Sequence, residues 1–75
     1  MCLEMLAYLD TLDRGILALE AVVDALLQAA DLSPDKAPAN IMRTIARGHR
    51  VKILERQGQF AALKEVYSER YHRDA

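Results

Sequence analysis

Arg43, Arg47 and Arg50 follow one another at steps of four and three, the spacing that places three side chains on one face of a helix. Lys52 and Arg56 lie close by in the chain. A guanidinium offers a planar fork of donors to carboxylates and phosphates alike, so such a face suits either an acidic protein surface or a nucleic-acid backbone. It can also be neutralised from within, by acids elsewhere in the same chain. The chain has ten Lys and Arg against eleven Asp and Glu, a formal net charge of -1 and a pI near 6.1. A nucleic-acid-binding domain is ordinarily basic overall, so this balance favours a protein partner over a duplex.

Other reactive types are scattered. Glu69 and His72 have the Glu-x-x-His spacing that lets two ligands on one helix face hold a single ion. Di-metal bundles also require inward glutamates from other helices, and this pair falls at a chain end where helices fray, so no metal site is expected. His49 sits between Gly48 and Arg50 and reads as a surface or helix-junction residue. Cys2 lacks a spaced histidine to activate it, Ser33 reads as a cap or turn residue, and Ser68 as a surface one. Gly15, Gly48 and Gly58 are too dispersed to cradle phosphates. No catalytic residue and no cofactor is expected. Tyr67 and Tyr71 join the arginine face as a candidate recognition surface, because Tyr and Arg dominate interface hot spots; Phe60 is assigned to the core.

These residues need elements to position them. No proline precedes Pro34, and Cys2, Met5, Leu9, Leu12, Ile16, Leu19, Val23, Leu26 and Ala30 recur at alternating steps of three and four. That is an a/d heptad seam, and it predicts one helix over about residues 2–31. Leu9, Leu12, Ile16, Leu19, Val23 and Leu26 form the expected self-association surface, although an antiparallel hairpin within the chain would use the same residues. Leu6, Val22 and Leu27 flank the seam and widen it, while Glu4, Asp10, Asp24 and Asp31 keep other faces polar.

Pro34 and Pro38, set among Asp, Ser and Lys, predict a loop over about 32–38, with Pro38 suited to the first turn of the next helix. Ile41, Met42, Ile45, Ala46, Ile53 and Leu54 then recur at helical spacing and predict a helix over about 39–56. Gln57-Gly58 is a candidate break before a third helix over about 59–72, its apolar side carrying Phe60, Leu63, Val66, Tyr67 and Tyr71. The string Arg56 to Tyr67 resembles the inter-helix turn of a tetratricopeptide unit. The likeness covers about a dozen residues, has Leu63 where that family prefers alanine, and lacks a second copy at the family's repeat of roughly 34 residues. It implies only a turn at Gly58; a single helix running through Gly58 would make a two-helix hairpin instead.

The resulting expectation is an all-α single domain of 75 residues, a long first helix packed on a second and a shorter third, assembled as a helical-bundle homodimer. A hydrophobic share of 52% and a charged share of 28% exclude a disordered tail. Glu20 and Asp24 interrupt the longest apolar run, which argues against a membrane span. An acidic N-terminal stretch and a lone Cys2 suggest a cytoplasmic location. Residues 1–35 carry a net charge of -6 and residues 36–75 a net charge of +5, so the halves are electrostatically complementary. The functional expectation is a non-enzymatic regulator, adaptor or inhibitor that contacts a larger, acidic protein partner. The alternative is a dimeric nucleic-acid-binding transcriptional regulator using the Arg43, Arg47 and Arg50 face.

Overall fold

The computed structural model describes the backbone of residues 2–72 and the side chains of residues 3–70. It is an antiparallel hairpin of two helices, α1 (Cys2–Leu32) and α2 (Lys36–His72). Two helices replace the expected three, since α2 passes through both Gly48 and Gly58 without interruption. A helix-interior glycine costs about 1 kcal/mol relative to alanine, and a break there would forfeit the packing of everything beyond it, Phe60 included. The turn-like string around Gly58 is therefore helical. Neither glycine has positive φ.

The reversal is shorter than expected, only Ser33–Asp35. Its hydrogen bonds account for this. The Ser33 amide donates to the Ala30 carbonyl at 3.3 Å and closes α1, while the Ala39 amide donates to the Asp35 carbonyl at 3.4 Å and opens α2. The Ser33 hydroxyl donates to the same Asp35 carbonyl at 3.2 Å. Pro38 lies in the first turn of α2, where a helix has no use for an amide donor.

The heptad seam of α1 is filled from within the chain. Leu9, Ile16, Val23 and Ala30 are buried, as is Leu12, and Leu19 and Leu26 are half-buried against the core. On α2 the matching positions are Ala39, Ala46, Ile53 and Phe60, each seven residues from the next; the first three are buried and Phe60 packs on them half-buried. Ile16, Val23, Ala46 and Ile53 form one continuous cluster, and Ala46 is only 1% exposed. Met42, His49, Arg56 and Leu63, three residues after each of these, are half-buried and complete a second seam. Ile41, Ile45 and Leu54, grouped with Met42, Ala46 and Ile53 by sequence spacing, lie outside it.

A two-helix hairpin gives each helix a single neighbour. The molecule measures 59 × 15 × 15 Å, and its radius of gyration is 17.2 Å against about 11 Å for a compact chain of this length. Among the described residues no large side chain is completely buried.

Two measurements check this arrangement. Ile16 is buried and its neighbour Leu17 is 57% exposed. Ile16→Ala is expected to cost about 2–4 kcal/mol in chemical denaturation, and Leu17→Ala less than about 0.5 kcal/mol. A methyl group added at Gly58 meets nothing within 4 Å. Gly58→Ala should therefore stabilise the protein by about 0.5–1 kcal/mol in the same assay, whereas a helix break at Gly58 would make the substitution destabilising.

Candidate functional site

The seam divides the surface of the hairpin into two broad faces. A residue that follows a seam position by one is rotated about 100° round the helix axis, and one that precedes it by about 100° the other way. In an antiparallel pair the same displacement on each helix leads to the same side of the hairpin. The two faces can be read off residue by residue.

The face that follows the seam is charged. On α1 it carries Asp10, Asp13, Glu20, Asp24 and Asp31, with Leu3, Leu6 and Leu17 exposed among them; on α2 it carries Arg43, Arg47, Arg50 and Lys64, with Leu54 exposed among them. The structure thus brings the three arginines into one row and lays an acidic row beside them. The rows meet near the turn, where Arg43 Nη2 lies 3.4 Å from Asp31 Oδ1. Arg43 is half-buried, whereas Arg47 and Arg50 are exposed and have no carboxylate within ion-pairing distance among the described residues. The other ion pair described, Arg14 to Asp10 at 3.0 Å, stays within α1. Among the described residues the complementarity of the two chain halves is therefore used at one point of contact, Arg43 to Asp31. Surface pairs of this kind contribute about 0–1 kcal/mol, so they orient the helices more than they hold them.

The face that precedes the seam is the opposite in character. On α1 it consists of Tyr8, Gly15, Val22 and Ala29 in one row and Thr11, Ala18, Ala25 and Leu32 in the next, with no ionisable acid or base between Thr11 and Leu32. On α2 it begins with Pro38, Ile41, Ile45 and Gly48 before Lys52 introduces charge. Ile41 is 61% exposed, Ile45 44% and Leu32 85%. The Thr11 hydroxyl donates to the Ala7 carbonyl at 3.0 Å, so its polar group is already satisfied on its own helix. Sequence spacing alone did not expose this face. Its small residues look like neutral filling until the seam beside them is known to be covered.

The remaining candidate positions separate. Tyr67 is half-buried on the seam of α2, in line with Phe60, and is engaged in a contact of its own. It stands about two turns beyond Phe60 and far from the arginine row, so the two do not form one site. The side chain of Tyr71 lies outside the described residues, as do those of Cys2 and His72 and hence the Glu69/His72 pair. His49 is a half-buried seam residue whose Nδ1–H donates to the Ile45 carbonyl at 3.0 Å. Leu9, Leu12, Ile16, Leu19, Val23 and Leu26, expected to meet another chain, face α2 of their own.

Among the described residues there is no cluster of three metal-ligating side chains and no enclosed pocket, and no helix is long and apolar enough to cross a membrane. The chain matches no protein-family model, no curated protein and no solved structure, so its two faces are what characterise it.

Proposed function

We propose that the protein is a non-enzymatic binding module, a small helical regulator, adaptor or inhibitor whose charged face docks on an acidic surface of a larger protein. The observation that carries this reading is the pair Arg47 and Arg50, exposed on one row and without a carboxylate partner among the described residues although an acidic row runs alongside. Two guanidinium groups on adjacent turns can each grip a carboxylate with two parallel hydrogen bonds, and Arg is enriched where protein interfaces draw most of their energy. The flanking acids of α1 supply the selectivity. They repel a polyanion such as a nucleic-acid backbone, which presents negative charge everywhere, while tolerating a partner whose acids are confined to a strip. With an overall charge of -1, little long-range attraction to nucleic acid is available.

The test compares the native protein with Arg47→Glu/Arg50→Glu as immobilised baits in cell extract with and without nuclease treatment, helicity being followed by circular dichroism. Both substituted positions are exposed, so helicity is expected to stay intact. A stoichiometric protein should be retained by the native bait and lost from the double variant. Equal retention by both baits would remove the arginine row from binding, and retention abolished by nuclease would favour a nucleic-acid target.

A further inference from the structure

We infer that the uncharged face of the hairpin is the contact surface for a second copy of the same chain, giving a two-fold four-helix bundle. This deepens the binding-module reading by assigning one of its two faces to self-association and leaving the other for a partner.

The first argument is area. The accessible surface is 5797 Å², against about 4,600 Å² for a compact folded monomer of 8.4 kDa. The excess, roughly 1,200 Å², comfortably exceeds the approximately 800 Å² that each partner contributes to a standard protein interface.

The second argument is position. Every residue of the uncharged face except Leu32 precedes a seam residue by one, and Leu32 lies seven residues after Ala25 in the same row, so the face is turned about 100° from the seam round each helix. A helix in a four-helix bundle contacts two neighbours at about a right angle to one another, so the second contact surface lies where a bundle requires it. The chemistry agrees. Val22, Leu32, Ile41 and Ile45 provide apolar bulk, and Ala25 and Ala29 between them let another helix approach closely. Each is exposed in the single chain. Since this face has no charge between Thr11 and Leu32 on α1 or between Pro38 and Gly48 on α2, two identical copies meet there without like-charge repulsion. The opposite face, with acids on one helix and arginines on the other, would be desolvated at a cost in the same role.

Such a dimer projects both arginine rows outward. A partner with two acidic strips, or two copies of one partner, would then be bound with the added strength of bivalency.

The measurement is sedimentation equilibrium on the native protein, on Ile45→Glu and on Leu54→Glu, with helicity recorded for each. The native chain should have a mass twice 8.4 kDa. Ile45→Glu places a charge in the contact and should weaken association at least about a hundredfold. Leu54 is 67% exposed on the charged face, and its substitution should leave the dimer intact. Should Ile45→Glu lose helicity, Ala25→Glu on the same face takes its place. A native mass of one chain, a mass above two, or dissociation by Leu54→Glu and not by the uncharged-face variants would overturn the inference. Partner retention is measured through Arg47 and Arg50, so it can succeed on a monomer or fail on a dimer, and the two readings fall separately.

Discussion

A seven-residue repeat shared by two antiparallel helices is the constraint on which the hairpin depends. Ala39, Ala46, Ile53 and Phe60 on α2 recur in step with Leu9, Ile16, Val23 and Ala30 on α1, so one rotational setting of the helices buries both rows. The turn fixes the register. Ala30 and Ala39, both buried, flank it, and Val23 with Ala46 and Ile16 with Ile53 continue the same core further out. With helices of 31 and 37 residues and a reversal of only three, a slip in register would displace every layer at once. Apolar burial supplies the driving force; the Arg43 to Asp31 pair adds orientation.

Everything exposed follows from that setting. Once the seam is fixed, the residues one position after it form a face with an acidic and a basic row, and those one position before it form a face with almost no charge. The helical hairpin is thus a thin rod with two chemically different sides. Its thinness leaves a large surface for its mass, and its division lets self-association and partner binding use opposite sides without competing.

Much of the fold was legible in the residues. The seam of α1 could be read directly, because Leu, Ile and Val at steps of three and four are unambiguous, and the break near Pro34 followed from turn chemistry. The seam of α2 was hidden for a physical reason. Two of its core positions are alanines, and two of its half-buried positions are held by His49 and Arg56, which do not read as apolar. The conspicuous Ile41, Ile45 and Leu54 drew the apolar stripe toward positions that are exposed. Gly58 suggested a break because glycine weakens a helix locally, but tertiary packing on both sides of it outweighs that cost. The arginine row was legible from spacing; which of its members has a carboxylate neighbour was not, since that depends on the register between helices. The uncharged face became visible only by subtraction, when the covered seam was known.

The central claim is that the seam closes within a single chain. It is tested most directly by isotope-filtered nuclear Overhauser spectroscopy on a mixture of labelled and unlabelled protein, read at the methyl groups of Ile16 and Ile53. These side chains share one buried cluster. The hairpin predicts cross-peaks between them in the fully labelled sample and none in the spectrum that passes only contacts between chains. A strong between-chain cross-peak would show that α1 pairs with α2 of another molecule and would contradict the hairpin.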